Sequence, residues 1–348
     1  FINLTFKLLF AMKKSQQNSN VHDLHDRGYK LLFSVYQNFQ QLMEGFVDKS
    51  WTSRLDYLHS QKIDKSFIMK GFKKQETDIL YKIPLLGEPD KEIFLYVLIE
   101  HQSSVDFAMP FRVLCYLVEI WRDFYKNSDP NETRQKGFRF PPVFLIVLYN
   151  GKEKWTASSS MREIVEHSEL FGDFIPNICY HLIDIPRLDK EKLKEIGTAL
   201  SGAFLIDGNI AVEEFEEIFK QGLSLIFENV SEEIGKLFHE WLITVFQGQT
   251  NEDALKRIIE EIASKSGNKK EIRNMLELMP QKLRDLGKQE EAREKIAQLL
   301  EIRIGPVSEA TKKELQKITE KAKLEKLFVL SAKVEKMSDF TKKLRELK

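Results

Sequence analysis

Two uninterrupted apolar runs constrain the fold of this chain more than any other feature. They are Ile93-Phe94-Leu95-Tyr96-Val97-Leu98 and Val143-Phe144-Leu145-Ile146-Val147-Leu148-Tyr149. Each has the length of a strand and is bounded by turn or polar residues. A strand without polar alternates must be covered on both faces, which calls for a sheet between layers of helices. Covering helices are legible on either side. Tyr29, Leu32, Phe33, Tyr36, Phe39 and Met43 recur at three and four residues, so one helix is expected over 23–47. A second is expected over 107–125, with Asp106 as its N-cap and Pro110 in its first turn. The fold class is therefore α/β.

The chain between and after these elements follows the same logic. Residues 67–85 have a β-rich composition with room for two strands. Gly87-Glu88-Pro89-Asp90 reads as a turn, and residues 178–185 as a further strand closed by Pro186. Beyond residue 187 the composition becomes helical. Helices are expected over 189–200, 212–229, 231–247, 252–265, 270–287, 289–303, 308–319, 323–334 and 338–347. The division is thus 1–21 (disordered or upstream sequence), 22–186 (α/β) and 187–348 (all-helical). Met12-Lys13-Lys14 looks like a natural start, so residues 1–11 read as sequence upstream of it.

Bulk properties narrow the function. Lys+Arg and Asp+Glu both number 53, so no global field draws the chain to nucleic acid, and any attraction must be local. Two unspaced cysteines, Cys115 and Cys179, argue against a zinc cluster or disulfide framework and fit a reducing cytoplasm. No apolar run reaches the ~20 residues that span a bilayer. Ser-His-Asp arrays, phosphate-binding Gly-rich loops and dinucleotide fingerprints are absent from the sequence.

The chemistry sits at the ends of the predicted strands. Glu76-Thr77-Asp78 runs into Ile79-Leu80-Tyr81, and Ile99-Glu100-His101-Gln102 closes the first apolar run. In a hairpin of these two segments, Asp78 and Glu100 can meet at one sheet edge. Paired carboxylates repel unless a divalent cation lies between them. A cation held that way polarises water and phosphate oxygens, the usual requirement for phosphodiester hydrolysis. Taken singly, an Asp or a Glu at a strand end is an ordinary solvated charge.

Five fragments in order resemble the Rpn family, the recombination-promoting nucleases also described as transposases, of the PD-(D/E)XK nuclease superfamily. They are His25-Asp26 with Tyr29-Lys30-Leu31-Leu32-Phe33-Ser34; Thr77-Asp78-Ile79-Leu80-Tyr81; Leu98-Ile99-Glu100-His101-Gln102-Ser103-Ser104; Met109-Pro110-Phe111-Arg112 with Tyr116 and Ile120-Trp121; and Pro141-Pro142-Val143 with Tyr149-Asn150-Gly151. The tail, around Leu300-Glu301-Ile302-Arg303-Ile304-Gly305, loosely resembles a helical extension of some relatives. The resemblance implies an αβββαβ core with a mixed sheet and an all-helical C-terminal extension. It implies Mg²⁺, or Mn²⁺ as substitute, held by Asp78, Glu100 and the backbone carbonyl of His101. It places Gln102 where the superfamily usually carries a lysine, a substitution that recurs in the Rpn pattern. A neutral amide can orient the attacking water but cannot take its proton, so a slow enzyme is expected.

Supporting residues carry two readings each. Asp26 lends the metal a carboxylate or favours the positive end of the first helix, as Asp23 suits its N-cap; Glu44 is a weaker metal candidate. Arg112 and Tyr116 share a helix face, and either meet phosphate and orient Glu100 or serve as a surface residue and a core residue. The expectation is a metal-dependent DNA endonuclease of low sequence specificity, linked by resemblance to recombination and transposition. The partners are DNA and a second copy of the chain through the helical tail, with no membrane. The alternatives are a catalytically inactive nucleic-acid-binding module and a protein-assembly module.

Overall fold

The computed structural model describes residues 27–63, 79–100, 105–208, 210–211, 214–246, 252–318 and 320–347. Their centre is a five-stranded mixed sheet of β1 (Gln61–Ile63), β2 (Ile79–Leu85), β3 (Glu88–Glu100), β4 (Val143–Tyr149) and β5 (His181–Asp184), in that spatial order. The first three strands are antiparallel. β4 lies parallel to β3, and β5 parallel to β4. Both apolar runs thus occupy the interior of the sheet, as their composition requires, and the α/β class follows. Of the stretch 67–85, expected to hold two strands, residues 79–85 form β2, and residues 67–78 lie outside the described residues. β1 sits just before that stretch, in a segment with no β signal in the sequence.

β2 and β3 form the expected hairpin, with a tighter turn than the sequence suggested. Leu85 pairs with Glu88, and Gly87 takes φ +77°, a conformation that glycine adopts without steric cost. Pro89 and Asp90 consequently lie in the strand.

Alternate residues of the sheet feed two cores. Ile79, Tyr81 and Ile83 of β2, Ile146 and Leu148 of β4 and Ile183 of β5 join one cluster. Leu80, Leu145, Val147 and Tyr149 join another. The second is covered by α2 (Met109–Asn127), through Met109, Val113, Tyr116, Leu117 and Ile120. The helix starts at Met109 with Ala108, not Asp106, at the N-cap; the Asp106 carboxylate instead accepts the Ala108 N–H at 2.9 Å, just before the helix.

The opposite face is covered from both ends of the chain. Tyr29, Leu32 and Phe33 pack there with Phe39, Leu42 and Met43 of α1 (Tyr36–Phe46). The helix expected over 23–47 is therefore two pieces: a helical stretch over 27–32 and α1, separated at Val35, which is extended. The Asn38 amide donates to the Leu32 carbonyl at 2.7 Å, satisfying an acceptor that the break would orphan.

The helical region supplies the rest of that core. It comprises α3 (Lys190–Ile196), α4 (Ala199–Asp207), α5 (Phe215–Glu228), α6 (Glu232–Val245), α7 (Glu252–Ala263), α8 (Lys269–Arg303), α9 (Glu309–Gln316), α10 (Lys321–Ser331) and α11 (Met337–Glu346). Gly197, at φ +66°, ends α3 earlier than expected. α4 was not legible. All nine of its residues are buried, so it has no polar face and no amphipathic period to betray it. α8 runs unbroken where two helices were expected. Gly287 costs such a helix only about 1 kcal/mol, too little to end it.

One cluster of buried residues extends from Tyr29 through Phe204, Phe227 and Trp241 to Leu276, crossing residue 187 without a gap. The change of composition there separates two kinds of secondary structure that share a core. A separate cluster joins Ile296 and Leu300 of α8 to Leu315, Leu324, Leu327, Phe340 and Leu344. Among the described residues no helix is long and apolar enough to cross a membrane.

Candidate active site

Of the metal ligands expected from the sequence, Glu100 falls at the C-terminal ends of the parallel strands. In sheets of this kind such ends are where ligands bind, because loops diverge there and leave a crevice. Glu100 is the last residue of β3 and pairs with Tyr149, the last of β4. Tyr149 in turn pairs with Asp184, the last of β5. One rung of the sheet thus carries Glu100, Tyr149 and Asp184. The hairpin register brings Ile79, the residue after Asp78 in sequence, opposite Val97, three residues before Glu100. Asp26, Asp78, His101 and Gln102 lie outside the described residues, and Glu100 is described by its backbone alone. Among the described residues no group of three or more His, Cys, Asp or Glu converges in the manner of a metal site.

The two supporting residues on α2 are described. Arg112 Nη1 donates to Asp106 Oδ2 at 2.7 Å, with side chains only 14% and 21% exposed. Arg112 is therefore no freely solvated surface group: its guanidinium is braced by a carboxylate from the loop that follows β3. Tyr116, one turn further on, is buried in the core beneath α2. Glu44, by contrast, lines a cleft beside β5 together with His181, Lys192 and Glu195, and accepts a hydrogen bond from Gln40.

Asp184 and the chain after β4 are held by one arginine. Arg187 donates to Asp184 Oδ1 at 3.3 Å, to the Gly151 carbonyl at 2.6 Å and to the Lys152 carbonyl. Burial pushes the Asp184 carboxyl above its ordinary pKa, and the Arg187 charge opposes that rise.

Sequence reasoning missed Asp207, at the end of the buried helix α4. Its carboxylate accepts the Tyr29 hydroxyl at 2.7 Å and the Asn150 amide. The three side chains come from the N-terminal helix, the residue just past β4, and the helical region. Together they tie the elements around the strand ends. Burial and the neighbouring carboxylate push the Tyr29 hydroxyl well above its ordinary pKa, so it remains a donor. The only sequence signal is an acidic residue closing an apolar run, Ala203-Phe204-Leu205-Ile206-Asp207, just before Gly208. Replacing Asp207 by alanine leaves the buried Tyr29 hydroxyl and the partly buried Asn150 amide without this acceptor, a loss of about 3 kcal/mol of stability. Urea denaturation of the variant checks it. Tyr29→Phe, which removes one hydrogen bond and no charge, should cost about 1 kcal/mol.

The family described as "Putative transposase, YhgA-like" matches residues 23–234, more than half of the chain. The chain belongs to that family. A stretch of 88 residues is 42% identical to the recombination-promoting nuclease RpnC of Escherichia coli strain K12, and covers 25% of each chain. The match thus spans about a quarter of that relative's length. No solved structure matches the chain.

Proposed function

We propose that the protein is a metal-dependent endonuclease acting on DNA with little sequence specificity, and that its reaction serves recombination or transposition. The observation that carries the reading is the position of Glu100. It closes the central strand β3, on one rung with Tyr149 and Asp184, at the edge toward which the β2–β3 hairpin directs the chain. The similarity to a recombination-promoting nuclease supports it. So does the order of elements, α1, β1–β3, α2, β4, with a mixed sheet, which fits a PD-(D/E)XK core.

The donor set fits the cation. Asp78, Glu100 and the His101 carbonyl are all hard oxygen donors, the kind that Mg²⁺ and Mn²⁺ prefer. Such a cation, when bound, lowers the pKa of water and offsets charge on the phosphate. The protein groups have separate tasks. Asp78 and Glu100 bind. Gln102 orients the attacking water through its amide and takes no proton. Arg112, braced by Asp106, lies on the helix that starts beside this edge, where a guanidinium suits a phosphate oxygen. Asp26 would add a carboxylate from the N-terminal side.

Low specificity follows from the absence, in the sequence, of a zinc finger or basic arm to read base edges. The helical region is assigned an assembly role. Ile302 of α8, with Phe328 and Val329 of α10, exposes apolar surface that suits a second copy.

Relaxation of supercoiled plasmid tests the reading. Nicking is expected with Mg²⁺ or Mn²⁺ and none in EDTA. Gln102→Lys should keep or raise the rate by supplying a group able to ionise. A purified, folded protein that nicks no DNA with either cation contradicts the proposal.

A further inference from the structure

At the end of the sheet opposite Glu100, the far end of α2 and the loop leading into β4 build a cluster of five aromatic rings. Trp121, Phe124 and Tyr125 come from the helix, Phe138 and Phe140 from the loop. Ring centroids lie 5.3 Å apart for Phe138 and Phe140, 5.5 Å for Trp121 and Phe140, and 6.2 Å for Phe124 and Phe138. The Trp121 indole N–H donates to the Pro141 carbonyl at 2.9 Å, anchoring the loop to the helix. Unlike core aromatics, the outermost rings remain open: Tyr125 is 52% exposed and Phe140 44%. At about 1.5 Å per residue, α2 (Met109–Asn127) holds Trp121 and Tyr125 about 18–24 Å from the helix end near Asp106.

The rings are surrounded by cations. Lys126, Arg134, Lys136 and Arg139 are exposed, and none pairs with a carboxylate among the described residues. The acids nearby are engaged locally. Glu119 pairs with Arg122, Asp123 accepts from Asn127, and Asp129 accepts the Asn131 N–H; Glu132 is left. Residues 134–139 hold three cations and no acid.

We propose that this face binds single-stranded DNA, with Tyr125 and Phe140 stacking on unpaired bases and Lys126, Arg134, Lys136 and Arg139 holding the phosphates. Aromatic rings interleaved with cations suit a strand whose bases are free to stack; in duplex DNA those π-faces are already used. Protein partners select against lysine at buried contacts, which disfavours a protein here. A membrane-seeking element separates its rings and cations onto two faces, whereas residues 134–140 alternate them. The surface is distinct from the strand-end site and would hold a strand displaced or released there.

Fluorescence anisotropy with the full chain and a labelled oligothymidylate of about twenty nucleotides tests this. Measured in EDTA, it does not depend on cleavage, so an inactive nuclease leaves the test standing. The Tyr125→Ala/Phe140→Ala variant should weaken binding about tenfold or more. The Lys126→Gln/Arg134→Gln/Lys136→Gln variant, which spares the Arg139 hydrogen bonds to the Lys136 and Phe138 carbonyls, should weaken it similarly and flatten its salt dependence. The charge variant alters no packed ring, so it decides the matter should the aromatic variant fold poorly. Binding to a hairpin duplex should change less than twofold, within about 0.4 kcal/mol. No oligothymidylate binding by the native chain, unchanged affinity in the charge variant, equal loss for the duplex, or capture by phosphatidylserine vesicles in place of the oligonucleotide would each overturn the proposal.

Discussion

A chain ending at residue 190 is expected not to fold. The α/β composition ends there, but the core does not. α4 inserts nine buried residues beyond the cut, and Phe204 sits 5.0 Å from Phe46 of α1 and 6.0 Å from Tyr29 by ring centroid. Trp241 of α6 lies 6.1 Å from Tyr29 on the same side of the sheet. The cut also removes Leu200, Phe219, Leu223, Phe227 and Phe238, all fully buried. Each such side chain contributes about 1.5–3 kcal/mol on burial, against a total stability of about 5–15 kcal/mol for a domain. The loss exceeds the whole margin. Asp207, which holds Tyr29 and Asn150, goes with it. A chain ending near residue 287 keeps every residue of that core and loses only the outer cluster of α8–α11, so it should fold. Far-ultraviolet circular dichroism and thermal unfolding of the two truncations separate the cases. A cooperative unfolding transition in the shorter one would show that the region before residue 187 is a self-sufficient unit, the division that composition alone suggests.

Asp78→Ala and Glu100→Ala should each reduce metal-dependent cleavage to the level seen in EDTA, while stability stays within about 1 kcal/mol of the native chain. The two effects go together for a physical reason. In the proposed site the two carboxylates repel without a cation, so removing one should relieve a cost and leave the fold intact. With a cation, the same removal deletes one of its two strand-end carboxylate donors. A merely structural residue would behave in the opposite way, losing stability along with activity, as expected of Asp207→Ala. Comparing plasmid nicking with urea midpoints for all three variants distinguishes a ligand from a brace.

The legible parts of the fold are those where one physical requirement acts alone. The apolar run of β4 could only be a covered strand, and its observed limits, Val143–Tyr149, are those of the run itself. The first-turn proline of α2, Pro110, and the hairpin glycine likewise carried local signals. What was hidden depends on distant partners. α4 lacks a polar face because α1, α3 and α5 enclose it within the core it shares with the sheet, and enclosure erases the period by which a helix is read. The break at Val35 is sustained by Asn38 reaching back to Leu32, a bond that sequence spacing does not announce. At the site, Glu100 was placed at a strand end from sequence, and its rung with Tyr149 and Asp184 follows from the parallel register. Asp207 lies 178 residues from Tyr29 and 57 from Asn150, so neither motif nor period could join them. Asp106 reads from sequence as a helix cap, but the cap is Ala108; Asp106 accepts the Ala108 N–H before the helix and braces the Arg112 guanidinium, a role that no local signal announces.

Titration of Mn²⁺ into the metal-free full-length chain, followed by the loss of the free-ion electron paramagnetic resonance signal, addresses the central claim directly. The native chain should take up Mn²⁺ at a site that Mg²⁺ competes for, and both Asp78→Ala and Glu100→Ala should abolish that uptake while keeping their unfolding midpoints. Undiminished Mn²⁺ binding in either variant, or no binding by the native chain, would contradict a metal-dependent nuclease centre at the ends of these strands.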